Sequence, residues 1–241
     1  MKNTLKKGAL PFVSICLGIF GLALRCWLFS TIDANGLLPQ NHIAGILSFV
    51  LLAIFLFIDF LATQNMAPSE TYSGSFPPSM LALIGGIVSA IGIAYSALIT
   101  ETSGLLQLFM PIFGILSAGA ICIAAYCRLQ GQRPNCLLHC VIAVYLILRI
   151  IAYGKIWGAE PQLQLYFFPL LSCLFLLLAC YFRAEQDVLP ANCRMYMLFS
   201  QAALFCCLLS VPNVDWVFYL SATVWMATDY CVPNYYGRYA A

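Results

Sequence analysis

The sequence predicts an all-α bundle of about eight membrane-spanning helices, and three observations carry that prediction. First, the 241-residue chain is 63% hydrophobic and only 8% charged, with a mean hydropathy of +0.91. A soluble domain carries about 25% charged residues, and too few charged side chains remain here to cover a water-facing surface. Second, the apolar residues fall into runs of roughly 20, the length a helix needs to cross a hydrocarbon core of about 30 Å. Third, lysine and arginine gather in alternate connections, the pattern that orients membrane proteins.

The predicted spans cover residues 8–31, 43–63, 79–99, 104–127, 136–153, 163–182, 193–211 and 214–231, in one transmembrane domain over residues 1–241. Lys2, Lys6 and Lys7 precede the first run. That run is long, contains Arg25 and is followed by no clean small-residue cleavage site, so it reads as a retained span and not a leader. The second is apolar until Asp59 in its last turn. In the third, Gly86, Ala90 and Ala94 recur every four residues, and Gly114 and Ala118 do so in the fourth. Such stripes let helices approach closely. They predict a tight hairpin, or alternatively a docking face for a partner helix or a second copy of the chain. The fifth span carries Arg149, and the sixth runs from Leu163 to Phe182. Only Pro212 and Asn213 clearly separate the seventh from the eighth. Spanning strands would be about half as long and alternating, which argues against a β-barrel. No residue-level repeat relates the first half of the spans to the second.

With the N-terminus in the cytoplasm, the inner segments hold Lys2, Lys6, Lys7, Arg128, Arg133, Arg183, Arg194 and Arg238, against Lys155 alone outside. Both termini are therefore expected to be cytoplasmic, in a cell membrane. Asp33, Glu101, Glu160 and Asp215 fall in the outer connections. The longest connection, Gln64 to Pro78, has the Ser, Gly and Pro content of a flexible loop. No connection is long enough for an ATPase, kinase or receptor domain. The small net charge of +2 gives no footprint for nucleic acid, and nothing calls for a cofactor.

Ionisable groups inside a membrane are costly and mark candidate sites. Arg149 lies at a depth of about 20 Å along its span, and Arg25 is in the same outer half. Tyr95, Gln107, Gln162, Gln164 and Tyr166 are expected near that level, with Trp216 and Tyr219 on the eighth span and Gln201 near mid-depth on the seventh. Two guanidiniums among amides and phenols would suit a small anionic or amphipathic solute, or a lipid headgroup, entering from outside. The competing reading has Arg25 reaching to the interface and Arg149 pairing with an acid such as Glu101 or Asp215 to fix helix packing. Asp59 and Asp229, each in a last turn, read as a proton relay or as hydrated acids near the interface.

None of the twelve cysteines lies in an outer loop, so reduced thiols are expected. Cys136, His139 and Cys140 share a helix face and form the nearest approach to a soft-metal motif; cysteine packing is the competing account. There is no GxSxG and no HExxH, and His42 stands in an outer loop without a catalytic pattern. Enzymatic chemistry on lipids is therefore the third function considered, after solute binding and a non-catalytic scaffold.

Two stretches, LRCWLFSTIDANGLLPQNH over residues 24–42 and GAEPQLQLYFFPLLSCLFLLLACY over 158–181, resemble polytopic membrane proteins of Gram-positive anaerobic bacteria that have no assigned function. The resemblance implies an eight-span bacterial membrane protein and carries over no site residues. The vitamin-binding subunits of energy-coupling transporters are similarly small and apolar, but usually have about six spans. Together these readings favour a membrane protein that binds or moves a small anionic solute at Arg25 and Arg149.

Overall fold

The computed structural model describes residues 9–32, 42–64, 76–100, 104–157, 163–188, 193–213 and 215–229. These residues contain eight α-helices and no strand: α1 (Ala9–Phe29), α2 (Ile43–Thr63), α3 (Met80–Ile99), α4 (Leu105–Leu129), α5 (Cys136–Trp157), α6 (Leu163–Val188), α7 (Cys193–Ser210) and α8 (Trp216–Thr228). Seven are long and apolar enough to cross a membrane. Large apolar side chains such as Ile46, Phe57, Ile91, Leu108 and Ile123 point outward from them, where lipid replaces water as the solvent.

α8 differs from the run read over 214–231. Its 13 described residues make a helix of about 20 Å, short of a hydrocarbon core of about 30 Å. It buries Phe218, Tyr219, Ala222, Trp225 and Met226 against the rest of the protein. α6 differs in the other direction. It continues past residue 182 to Val188, which takes Arg183 out of the expected loop and into a helix.

From α3 to α8 each helix packs on the next, and α8 returns to pack on α3, closing a ring. α1 and α2 pack on each other and on α7 outside that ring. This arrangement explains why α7 is buried at every residue from Ser200 to Ser210: it is flanked by ring neighbours on two sides and by the α1–α2 pair on a third. The ring interior is filled. A small apolar void of about 10 Å³ lies there, lined by Ile93, Ser117, Tyr145, Leu176, Phe218 and Trp225 among others. That is about the room one water needs.

The small-residue stripes are used within the chain. Gly86 faces Ala125, and Gly114 faces Ala97, so α3 and α4 form the tight hairpin expected of them. Gly85 and Gly92, on an adjoining face of α3, lie against Thr228 and Ser221 of α8. A side chain at Gly92 would drive into Ser221 and push α8 off α3. Gly92→Val is therefore expected to lower stability by about 1–3 kcal/mol, the range for overpacking a filled core. A thermal melt in detergent measures this, with Gly119→Val as control because no atom lies near that position.

Candidate functional site

Arg149 is fully buried, and its surroundings follow from the helical spacing of α5. Tyr145 and Tyr153 lie four residues before and after it, stacked on the same face. Nη1 donates to Tyr145 OH at 3.0 Å and to Ser96 Oγ of α3 at 3.3 Å. Nη2 donates to Tyr153 OH at 3.1 Å and to Asp215 Oδ2 at 2.7 Å. The guanidinium lies 3.5 Å from the centroid of Phe218, within reach of a cation–π attraction. All its terminal N–H groups are thus engaged, while Nε–H makes no hydrogen bond. Asp215 precedes α8 and keeps 20% of its side chain exposed. A carboxylate is also favoured there by the positive end of the helix dipole. Of the two acids weighed as partners for Arg149, Asp215 fills the role; Glu101 lies outside the described residues.

A second charge cluster holds the opposite end of α8. Asp229, the C-cap, accepts from Arg128 Nη1 at 2.8 Å and from Tyr196 OH at 2.8 Å, and Arg183 Nε lies 3.8 Å away. Arg128 Nε also donates to Pro77 O at 3.3 Å. Phe76 is fully buried, with its ring centroid 3.3 Å from the Arg183 guanidinium. Four helices therefore meet on one carboxylate, and the segment before α3 packs on its arginines. The sequence reading put Arg128 and Arg183 in inner loops and ends, read Asp229 as a proton-relay acid or a hydrated acid near the interface, and placed Phe76 and Pro77 in a flexible connection. The structure places both arginines inside helices and gives Asp229 ion-pair partners in place of open water. The end of α4 and the extension of α6 are packed, and the last residues of that connection plug the cluster.

Of the seven polar residues expected to share a site, the five with described side chains are not brought together. Arg25 is buried against Phe29 and Phe168, 5.0 Å from each ring centroid. Phe168 belongs to an apolar cluster with Phe55 and Phe205, separate from the one that holds Tyr145 and Phe218. Tyr95 is 55% exposed and Gln107 is exposed, so both face outward from α3 and α4. An outward tyrosine suits the aromatic belt at a membrane interface. Gln201 is fully buried on α7. Gln162 and the side chain of Gln164 lie outside the described residues.

The soft-metal motif does not form. His139 turns into the α5–α6 contact, its Nδ1 2.8 Å from Asp187 Oδ2, while Cys140 is exposed and Cys136 half-buried. Adjacent residues on a helix point about 100° apart, which separates Cys140 from the buried histidine. Among the described residues no group of three His, Cys, Asp or Glu side chains could hold a metal. No disulfide joins the described cysteines.

The fold and these buried charge clusters define a polytopic α-helical membrane protein. No protein-family model matches the chain, and no curated protein or solved structure does.

Proposed function

We propose that this membrane protein binds, and carries, a small anionic solute at Arg149, with Asp215 holding the guanidinium when the solute is absent. One observation carries the reading. The counter-ion of a fully buried arginine is a partly exposed acid at the edge of a connection, not a residue locked on a facing helix. The rest of the surroundings recognise a carboxylate or phosphate independently of Asp215. Ser96, Tyr145 and Tyr153 fix the guanidinium plane, and Phe218 stacks under it. Planar guanidinium groups held in this way favour bidentate anion binding. An incoming carboxylate would exchange with the carboxylate of Asp215 at no net change of buried charge. Arg25 takes no part in this version of the site.

The rival reading, a scaffold that docks a partner through the small-residue faces, loses support because those faces pack inside the bundle. A second rival is that Arg149–Asp215 is only a structural pin. Isothermal titration of the full chain in nanodiscs with acetate, benzoate and inorganic phosphate separates the two. Saturable binding of at least one anion is expected, tightened at least tenfold in Asp215→Asn, because the internal competitor is removed. Silence towards all three probes in both wild type and Asp215→Asn leaves the arginine as a pin.

A further inference from the structure

The strongest unexplained chemistry lies away from Arg149, in the seam between α2 and α7. Two contacts fix the register there. Gly21 of α1 lies against both Leu209 and Leu51, which places those two leucines at one level. One turn on, the rings of Phe55 and Phe205 stack at 4.3 Å and 9°. A step of plus four on α2 thus matches a step of minus four on α7, as antiparallel helices require. Carried one more turn, this register sets Asp59 of α2 level with Gln201 of α7, with no hydrogen bond between them. Both are fully buried. Neither oxygen of Asp59 makes a hydrogen bond, and neither does the amide nitrogen or oxygen of Gln201.

A buried polar group without a partner is rare in a folded protein, and two at one level of a packed helix seam call for a cause. An ionised carboxylate left unpaired in apolar surroundings costs several kcal/mol or more. The charged or titratable side chains on the packed neighbours do not relieve it. On α7, Arg194 lies 5.4 Å from the Phe60 ring centroid and Cys206 sits in the apolar cluster with Phe55. Cys193, Tyr196 and Cys207 complete the set on α7, with Cys16, Arg25 and Cys26 on α1. None of them bonds the carboxyl oxygens. A protonated carboxyl, by contrast, offers one O–H donor and one carbonyl acceptor. A carboxamide offers the complementary acceptor and donor, so the neutral pair would need no third group once the two side chains turn to meet. A metal cation would demand more oxygens than these two side chains supply, as the six or more around calcium and magnesium illustrate.

We propose that Asp59 and Gln201 form a proton-binding site at the seam where the α1–α2 pair packs on α7. The proton comes from bulk water and converts the carboxylate to the acid. Release leaves the carboxylate facing the amide without a counter-ion, which favours parting of α2 from α7. The site stands on its own observations and survives if Arg149 proves to be only a pin.

The test is covalent labelling of the full chain in lipid vesicles with dicyclohexylcarbodiimide, which reacts with protonated carboxyls inside membranes. Peptide mass spectrometry reads the modification at Asp59. Labelling of Asp59 is expected, lost as pH rises and unchanged by sodium at fixed pH. Gln201→Leu removes the pairing amide and is expected to shift the pH at which labelling disappears. Infrared spectroscopy supplies a second readout without any need for reactivity: a protonated-carboxyl band present in wild type and absent in Asp59→Asn. Protection by sodium at constant pH would assign the site to a metal cation and overturn the proposal. So would the absence of both label and band at every pH. An unchanged labelling profile in Gln201→Leu would remove Gln201 from the site and overturn the paired form of the proposal.

Discussion

Asp229→Asn is expected to destabilise the bundle by about 3–5 kcal/mol, the usual result of removing one partner from a buried charge cluster. The argument rests on how many groups depend on this carboxylate. Arg128 and Arg183 are both buried and both directed at it, and Tyr196 donates to it. The amide of asparagine keeps the shape but leaves two guanidiniums without their shared counter-ion. The position makes the dependence clearer. An acid at a helix C-terminus is disfavoured by the helix dipole by about 0.3–1 kcal/mol, so Asp229 is out of place for α8 considered alone. Its location is explained by the arginines around it. Chemical denaturation in mixed micelles measures the loss. The double variant Asp229→Asn, Arg183→Met should recover part of it, because one of the two orphaned charges is removed. A loss within about 0.5 kcal/mol, typical of an ordinary surface change, would show that the cluster is not a structural keystone.

How much of this was legible follows from what each signal measures. Hydropathy reports the solvent around a segment, so the seven long helices stand out in the sequence, and Asp59 marks the end of α2 well. Hydropathy does not report length inside a protein core. α8 reads as one more span because the residues that bury it against α3 and α7 are as apolar as those that would face lipid. Loop charges mislead for a related reason. Arg183 follows an apolar run and looks like the start of a connection, yet α6 continues to Val188 and carries it into the packed interior. The surroundings of Arg149 were more accessible than they first seem. Tyr145 and Tyr153 stand at four-residue spacing on either side, a pattern visible on inspection. Ser96, on another helix, carries no local signal. Nor does the register of α2 on α7, in which Phe55 stacks on Phe205, because it depends on contacts between helices far apart in sequence.

The two ends of α8 show one device used twice. Asp215 precedes the helix and pairs with Arg149; Asp229 follows it and pairs with Arg128 and Arg183. A helix too short to span is thereby tied at both ends to helices that do. The ties differ in one respect that bears on function: Asp229 is locked by several elements, whereas Asp215 is held mainly through Arg149.

Arg149→Leu is expected to cost about 2–4 kcal/mol, below the upper range for a buried pair because Asp215 retains some solvent. Asp215→Leu should cost a similar amount, since it strands the guanidinium. The informative variant carries both changes. Hydrophobic replacement of an entire buried pair is often neutral or stabilising, so Arg149→Leu, Asp215→Leu is expected to recover most of the stability lost in either single variant. The coupling from this double-mutant cycle should be about 2 kcal/mol or more. Melts of all four proteins in one detergent give the stability arm, and anion titration gives the other. A double variant that folds as well as wild type but binds no anion would mean that the membrane interior tolerates a simpler, apolar contact at this position. The arginine would then be present for the anion it holds. A double variant that cannot be folded would show instead that the tyrosines and Ser96 need the guanidinium as their common partner, and the pair would be structural first.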